Sequence, residues 1–299
     1  TNGEKSVLVG YPMDVESVAY DKNPIVFNDV MNDRTNWNDI TKMYDLTISG
    51  TIATSSKGMF PIDYGTGSGW HGPAVERILN EPLNDFSLSI YTAIDSGVSK
   101  LTNIEIHLLT ADNEVMTRIR IGDWWNNINR VVGYYKIGSL SNHQSFYLDN
   151  GDKWNNFRGV TTIKKEGNEI NLYMARTQPQ PNHKDVIKRR LIDTEGLFNK
   201  SISKIQIAMC SYADYEAADS RLLQVTLRKI NPNKEDVIPY IAYPGEKIII
   251  DKSLQPYING QITNLNVFSE PIELQKGENN LIVLPPNADV TVRFREVFK

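Results

Sequence analysis

Short segments in which apolar and polar residues alternate recur along most of this chain, and this period of two restricts its fold more than any other feature. Val115–Ile121 is the clearest case, with Val, Thr, Ile and Ile at odd positions and Met, Arg and Arg at even ones. Successive side chains of a β-strand point to opposite faces, so such a segment buries one face. Ile104–Leu108 and Glu169–Met174 alternate in the same way, and the latter follows the hairpin turn Glu166–Asn168. The chain is therefore predicted to consist mainly of short β-strands.

The number of these segments indicates the fold class. Between about Thr47 and Ile230 there are roughly ten strand candidates, enough for a two-sheet jelly roll of the concanavalin, lectin-like type. Helical patterns are confined to Asn38–Tyr44 and a turn or two around Tyr215–Ala218. The predicted fold class is all-β.

A second set of strand candidates follows a polar, turn-rich boundary at residues 231–236. The set comprises Ile238–Tyr243, Lys247–Ile250, Ile262–Phe268, Asn280–Leu284 and Val290–Phe294. So short a region is small for an independent core, and Lys5–Pro12 is an isolated apolar strand at the other end of the chain. We therefore predict one split domain of residues 1–24 and 236–299, with a jelly roll of residues 25–235 inserted into it.

Composition excludes several classes of protein. At 299 residues, with 40% hydrophobic and 9% aromatic residues, the chain has the composition of a folded protein rather than a disordered one. Its net charge of −4 provides no basic surface, so no nucleic-acid partner is expected. No apolar run reaches the ~18 residues of a spanning helix, so no membrane partner is expected. The chain opens on Thr1 without a signal-peptide core, and we expect a fragment or a trimmed chain.

The single cysteine, Cys210, excludes an intrachain disulfide framework. It ends the apolar run Ile205–Cys210, which is typical of a buried strand, and no neighbouring histidine pattern would activate its thiol. We expect a small core residue and folding in a reducing compartment.

Residues for catalysis or metal binding are not indicated. Glycoside hydrolysis normally requires two carboxyl groups at a fixed separation, and laminarinase-like hydrolases carry Glu-x-Asp-x-Glu on one strand face. The nearest fragment, Asp193–Glu195, is followed by Gly196 and is interpreted as a solvated turn. The four histidines lack metal-binding spacing, and Asp149–Asp152 lacks the spacing of a calcium loop. We predict no catalytic residue, no metal site, no cofactor and no enzymatic activity.

An aromatic cluster between residues 124 and 154 is the strongest indication of function. Tryptophan, tyrosine and phenylalanine are interleaved there with asparagine and arginine. Sugar rings stack their apolar CH faces on aromatic rings, while asparagine and arginine bond the hydroxyl groups. The alternative is that these rings fill the core and its rim. The predicted carbohydrate-binding residues are Trp124, Trp125, Asn127, Arg130, Tyr135 and Trp154.

Three stretches resemble the distal tail protein of siphophages that infect Gram-positive bacteria. One is the closing pattern, Ser269–Ile282 followed by Ala288–Phe298, which contains a Gly-Glu-Asn turn and a Thr-Val-Arg-Phe-Arg strand. Another is Gly69–Ala74 leading to Asp85–Leu88, which resembles the start of the module inserted in the longer, evolved members. The third is Lys5–Glu16, which is similar to the strand before that insertion. Together they cover about half of the chain in the order of the family.

This resemblance implies a structural role at the tip of a phage tail. The split domain would be the small galectin-like sandwich of the family, and the insertion would be a carbohydrate-binding module that faces the host. The implied partners are the tail tube protein, the tail-associated lysin or fibre protein, and a host cell-wall or surface polysaccharide. The implied location is the virion tail tip, or baseplate, after synthesis in the bacterial cytoplasm.

Two points qualify the expectation. The family's N-terminal domain, which closes its ring, has no counterpart in this sequence, so we expect a homohexamer for the full-length protein and a monomer for this fragment. Two other classes remain as alternatives: a glycan hydrolase of concanavalin-like fold and a free-standing lectin. The missing carboxylate triplet argues against the hydrolase, and the closing pattern argues against the lectin.

Overall fold

The computed structural model of the chain describes residues 21–177, 182–232, 245–250, 256–258, 261–262 and 290–293. By its internal contacts the chain divides into two units, one of Asp21–Asn233 and one that combines Thr1–Tyr20 with Lys234–Lys299. Most of the predicted split domain, 1–24 and 236–299, lies outside the described residues, and that domain assignment stays a prediction.

The described residues are mostly β-strand. In chain order the strands are β1 (Ile25–Asp29), β2 (Asn38–Asp39), β3 (Thr47–Ile48), β4 (Thr51–Ser55), β5 (Gly58–Asp63), β6 (Trp70–Gly72), β7 (Ala74–Leu83), β8 (Phe86–Asp95), β9 (Thr102–Leu109), β10 (Val115–Asp123), β11 (Val132–Gly138), β12 (His143–Leu148), β13 (Phe157–Glu166), β14 (Glu169–Arg176), β15 (Lys184–Ile192), β16 (Ile202–Tyr212), β17 (Asp219–Lys229), β18 (Ile248–Ile250), β19 (Pro256–Ile258) and β20 (Gln261–Ile262).

Within the described residues these strands form two large sheets and one small one. Sheet A has eight strands, in the order β15-β14-β13-β8-β17-β5-β4 with β1 beside β17. Sheet B has nine, in the order β12-β11-β10-β9-β16-β6-β3, with β7 between β16 and β2. The strand pairs described in the two sheets are antiparallel except β3 with β6, which is parallel. Sheet B carries the candidate site.

The two large sheets enclose one hydrophobic core. Leu88 and Ile90 of β8 in sheet A belong to the same buried cluster as Ile106 of β9 in sheet B. Strands with one face toward this core show the predicted alternation, as β8 does from Phe86 to Ile94. The largest fully buried side chains include Trp154, Tyr135, Phe86, Phe157 and Phe198. The prediction of an all-β, two-sheet sandwich is confirmed.

Local predictions within this unit also hold. The alternating segment at 115–121 lies in β10, and the predicted hairpin joins β13 to β14 with Glu166 opposite Glu169. Gly167 in its turn has a φ of +60°, a conformation that glycine adopts without steric cost. Cys210 is fully buried, as predicted.

The outer face of sheet B is partly covered by residues 40–46, which we call the strap. Met43 of the strap packs on the small side chains of Ala74, Ala208 and Cys210, which point away from the sandwich core. The helix predicted at Asn38–Tyr44 is therefore wrong: its first residues form β2, and the rest lie in the strap, which turns at residues 44–45. Packing of apolar strap residues against this second cluster overrides a weak local helical preference.

The second unit is described only in part. Its small sheet is antiparallel, β18 with β19 and β19 with β20, and β18 falls within the predicted strand Lys247–Ile250. Val290–Arg293 have no regular secondary structure, and the side chains of Val290 and Val292 are 53% and 52% exposed. The predicted strand Val290–Phe294 is wrong over these residues. Alternation of apolar and polar side chains indicates which face of a strand could be buried, but it does not provide the backbone hydrogen bonds that a strand needs.

The other segments that carry the family resemblance at the chain ends, Lys5–Glu16 and Ser269–Ile282, lie outside the described residues, as do most of the strands predicted after residue 236. Helical structure in the described part is limited to one 3-10 turn, Gly151–Trp154. No helix there is long and apolar enough to cross a membrane.

Candidate functional site

A cleft of about 450 Å³ opens on the outer face of sheet B, where β9 begins and β10 and β16 end. This volume falls in the range of ~300–1,000 Å³ that is usual for small-ligand sites. Seven of its eleven lining residues are aromatic. The lining residues are Trp70, Leu101, Asn103, Arg120, Trp124, Trp125, Asn126, Tyr134, Tyr147, Tyr212 and Tyr215.

Four rings form a continuous aromatic row, the first wall. Tyr134 of β11 and Tyr147 of β12 are opposite each other in register, and their ring centroids lie 4.5 Å apart. Trp124, just after β10, lies 6.5 Å from Tyr134 and 5.3 Å from Trp125. Rings at these separations hold one another in place, so the wall is preorganised for a flat, apolar ligand face.

Three further rings form the second wall. Trp70 of β6 and Tyr212 of β16 are paired in register with ring centroids 5.2 Å apart, and Tyr215 lies 6.3 Å from Tyr212. The side-chain amide of Asn126 donates a hydrogen bond of 3.2 Å to the Tyr215 hydroxyl. This bond links the loop after β10 to the loop after β16, so the two walls are tied together.

A buried carboxylate holds the loop that carries the two tryptophans. Asp123, which is fully buried at the end of β10, accepts hydrogen bonds from the backbone N–H groups of Trp125 (3.2 Å) and Arg130 (2.8 Å). Burial raises the pKa of Asp123 to about 6, although the N–H groups of Arg130 and Trp125 act in the opposite direction. The position of Trp124 and Trp125 therefore depends on one side chain behind the cleft.

The floor of the cleft is polar and rests on a buried charge network. Arg120 and Asn103 line the floor, and each donates to Oε2 of Glu105, at 2.7 Å from Arg120 Nε and 3.2 Å from Asn103 Nδ2. Oε1 of Glu105 accepts from His107 Nε2 at 2.7 Å and from Arg118 at 2.9 and 3.1 Å. Both oxygens of Glu105 are thus occupied by protein donors.

The protonation states in this network follow from its contacts. Burial alone would raise the pKa of Glu105, but the hydrogen bond from His107 and the charges of Arg120 and Arg118 outweigh it and hold the pKa at about 2. Burial lowers the pKa of His107 despite its bond to Glu105, so the imidazole is neutral at neutral pH. Glu105 is consequently a permanent anion that orients the two arginines.

The structure brings together only part of the predicted binding set. Trp124 and Trp125 line the cleft. Asn127 is exposed on the same loop and lies outside the lining. Arg130 also lies outside it, and its guanidinium pairs with Asp149 at 2.7 Å. Their proximity in sequence to the tryptophans does not place these two polar side chains in the cleft.

Two of the predicted binding residues are core residues, and their assignment is wrong. Tyr135 and Trp154 are each 0% exposed and belong to the cluster between the sheets. Tyr135 follows Tyr134 on β11, so it points into the core when its neighbour points into the cleft. Trp154 donates its indole N–H to the backbone oxygen of Asp185 at 2.9 Å. The alternative stated from the sequence, that rings of this cluster fill the core, holds for both.

The prediction also misses cleft residues. Tyr134 and Tyr147 stand in the aromatic cluster of the sequence, and the period of two could have assigned them to the face opposite Tyr135. Trp70 and Tyr212 meet only because β6 pairs with β16, more than a hundred residues later. No local signal identifies such a pair.

The described residues that line the cleft include no pair of carboxylates. Asn103, Glu105 and His107 alternate along β9 on the face that carries the floor, at the spacing that a Glu-x-Asp-x-Glu triplet would have. Only the central position is acidic, and its side chain is 0% exposed. Across the described residues, no cluster of three or more histidine, cysteine or acidic side chains is arranged to hold a metal ion.

No protein-family model matches this chain, and no curated protein matches it. Solved structures do. The CBM2 module of the evolved Dit of Lactobacillus casei BL23 phage J-1 is 13% identical, with a TM-score of 0.62, over 73% of this chain and 100% of that one. SCLam, a non-specific endo-β-1,3(4)-glucanase of family GH16, is 8% identical, with a TM-score of 0.50, over 76% and 97%. At these identities the likeness shows the sandwich fold alone.

Proposed function

We propose that this chain binds carbohydrate through the aromatic cleft on sheet B. The observation that carries the proposal is the combination of seven aromatic side chains with a floor of Arg120 and Asn103. Aromatic faces stack on the CH faces of sugar rings, and guanidinium and amide groups bond hydroxyls. Glycan binding also agrees with the similarity of this fold to that of a phage carbohydrate-binding module.

We propose further that the cleft binds without cleaving. A glycosidase needs one carboxyl group that donates a proton and a second that acts as nucleophile or base. The pKa of Glu105, about 2, excludes it as the proton donor, and its full burial and saturation with donors exclude it as the nucleophile or base. The likeness to a glucanase favours the alternative of a hydrolase, but it is a likeness of fold. Incubation with a bound glycan should release no reducing ends, and a steady release would support the hydrolase instead.

Binding is best tested on the whole chain with two variants in the first wall. Trp125→Ala and Tyr147→Ala remove one ring each from the first wall and leave the buried network intact. Both should weaken labelling of host cells, or retention on immobilised glycan, by about tenfold or more, which corresponds to ~1.4 kcal/mol. Tyr173→Ala is the matched control, because Tyr173 lies on β14 of sheet A. Unchanged binding by both wall variants would place the glycan elsewhere.

The biological setting is a separate proposal. We infer that the chain is part of a distal tail protein at the tip of a siphophage tail, where it presents the cleft to the host envelope. The support is the family resemblance of the sequence together with the fold of an evolved Dit module. In this setting the partners are the tail tube protein, the tail-associated lysin or fibre protein, and a host surface polysaccharide. Six copies in a ring would multiply a modest affinity by ~10²–10⁴ through effective concentration.

Location and assembly give the test of this setting. Antibodies raised against the whole chain should label tail tips of virions by electron microscopy, and labelling of the producing cell's own wall would favour a free-standing lectin. The chain by itself is proposed to be a monomer, so light scattering should give a mass close to 33.9 kDa. A mass near six times that value would mean that this chain forms the ring unaided.

A further inference from the structure

The charge of the cleft floor is concentrated in one side chain. Among the described residues that line the cleft, Arg120 alone is charged, and its side chain is 22% exposed. Its Nε is occupied by Glu105 at 2.7 Å. The guanidinium has further N–H donors on its two terminal nitrogens, and these are the donors available to a ligand.

The positive charge of Arg120 is compensated inside the protein. Glu105 lies directly behind it, and the second arginine on Glu105, Arg118, also pairs with Asp45 of the strap at 3.0 Å. His107 is neutral, since burial lowers its pKa. Two arginines therefore face two carboxylates, and the network brings no net charge to the cleft.

The groups around the rim do not change this balance. Lys136 of β11 lies 6.0 Å from the ring of Tyr134, outside the lining. In the opposite loop, Glu216 pairs with Lys100 at 3.0 Å. These groups do not form the concentrated positive field that attracts acidic sugars.

An acidic sugar would meet an unfavourable environment in this cleft. A carboxylate or phosphate placed against Arg120 would also approach the buried anion Glu105, and it would lose hydration among seven aromatic side chains. A hydroxyl avoids both penalties, since it is neutral and accepts hydrogen bonds from the guanidinium.

Asn103 adds a second, independent indication. Its amide nitrogen donates to Glu105, which fixes the orientation of the amide, and its Oδ1 is buried without a hydrogen-bond partner among the described residues. Asn103 is among the residues that line the cleft and is 0% exposed, so its Oδ1 is a buried acceptor next to the floor that lacks a donor among the described residues. A sugar hydroxyl has a proton to donate, whereas an ionised carboxylate or phosphodiester has none.

We infer that the cleft selects a neutral glycan with free neighbouring hydroxyl groups and rejects glycans whose sugar units carry carboxylate or phosphate in the cleft. This inference rests on the proposed function. One hydroxyl would accept from Arg120 and its neighbour would donate to Asn103, while the ring stacks on the aromatic walls. Because no net charge is involved, the affinity should depend little on ionic strength.

An array of immobilised neutral and acidic bacterial glycans, probed with the whole chain, is the first test. The bound glycans should be neutral. A neutral glycan that binds is then compared with its own derivative in which C6 hydroxymethyl groups are oxidised to carboxylates. Titration in about 50 mM and about 500 mM NaCl should change the affinity for the neutral form by less than about twofold. The oxidised form should bind about tenfold more weakly, ~1.4 kcal/mol.

Charge variants separate a hydrogen-bonding role of Arg120 from an electrostatic one. Arg120→Gln keeps an N–H donor and removes the charge, so it should weaken binding of the neutral glycan about three- to tenfold without creating salt dependence. Arg221→Gln is the matched control, because Arg221 also pairs with a carboxylate, Asp219 at 3.2 Å, but lies on β17 of sheet A. Circular dichroism and a melting curve confirm that both variants are folded.

Three outcomes are distinguishable. Tighter binding of the oxidised form, with an affinity that falls as salt is raised and is lost in Arg120→Gln, would overturn the neutral-glycan inference and leave glycan binding intact. Binding of no glycan by the folded chain would overturn the proposed function and, with it, this inference. Preferential binding of neutral glycans, with affinity weakened in Tyr147→Ala and unchanged in Arg221→Gln, is the result that we expect.

Discussion

Replacement of the buried carboxylate behind the cleft should be among the most destabilising single changes in this unit. Glu105→Gln preserves the shape of the side chain but removes the anion that two arginines share. Both oxygens of Glu105 accept hydrogen bonds, and Gln replaces one of these acceptors with an N–H₂ donor. The variant therefore leaves buried donors without an acceptor and leaves Arg118 and Arg120 facing one carboxylate, Asp45, instead of two; the side chain of Arg118 is 5% exposed.

The structure gives two routes to the magnitude. Removing one partner of a buried ion pair costs ~3–5 kcal/mol. Independently, the pKa of Glu105 falls from 4.5 to about 2 on folding, and each pKa unit corresponds to ~1.4 kcal/mol, so ionised Glu105 contributes about 3 kcal/mol. Because the folded-state pKa is the lower one, this stability is present in full above pH 4.5 and is lost as the pH falls toward 2.

Urea unfolding followed by tryptophan fluorescence measures the effect. All five tryptophans lie between residues 37 and 154, so the signal reports on the unit Asp21–Asn233 alone. Glu105→Gln should lower the free energy of unfolding by about 3–5 kcal/mol near neutral pH. The matched control is Glu76→Gln on β7, where the half-buried Glu76 accepts one hydrogen bond from Gln206 at 2.8 Å, and it should cost less than about 1.5 kcal/mol.

Two results would refute the reasoning. A loss below about 1 kcal/mol for Glu105→Gln would mean that the arginines do not depend on this carboxylate. A variant that keeps the wild-type loss of stability between pH 4.5 and about 2 would mean that another group titrates there. Either result would also remove the charge compensation on which the neutral-glycan inference depends.

Three further predictions concern single buried groups. The pKa of Asp123 rises from 3.8 to about 6 on folding, so its contribution to stability is present at low pH and is lost as the pH rises through 6. In urea titrations, the stability of wild type relative to Asp123→Asn should therefore fall by up to about 3 kcal/mol between pH 4 and 7. A difference in stability that stays constant over this pH range would contradict the prediction. Tyr135→Phe removes a buried hydroxyl that lacks a partner among the described residues and should raise the melting temperature or leave it unchanged, since an unsatisfied buried group costs ~1–3 kcal/mol. Burial raises the pKa of the Cys210 thiol, so the folded protein should react with a thiol reagent far more slowly than the urea-unfolded one, and equal rates would show that Cys210 is accessible.

Prediction from the sequence succeeded where structure is encoded locally. The alternation in β10, the turn at Gly167 and the burial of Cys210 follow from properties of neighbouring residues. The strand predicted at Val290–Phe294 shows the limit of this reasoning over its described residues. Alternation of apolar and polar residues predicts which face of a strand would be buried. It does not predict a partner strand to hydrogen-bond with the backbone N–H and C=O groups.

The candidate site was predicted only in part for the same reason. Trp124 and Trp125, selected from an aromatic, asparagine-rich segment of the sequence, do line the cleft. The sequence analysis assigned Tyr135 to the site instead of Tyr134, because the sequence of two adjacent tyrosines does not show which ring faces the core. The register between β11, β10 and β9 decides that question, since it puts Tyr134 on the face of Arg120 and Glu105.

The sequence by itself determined an all-β chain, the places of most strands and turns in the large unit, and the lack of a Glu-x-Asp-x-Glu triplet. Only the tertiary structure decided where the aromatic cleft lies. Pairing of β16 with β6 and β9 brings Trp70 and Tyr212 to the same cleft as Trp124, and the strap covers the neighbouring part of the same face. The physical reason is that strand formation depends on the local order of side chains, whereas a cleft depends on contacts between strands that are far apart in the chain.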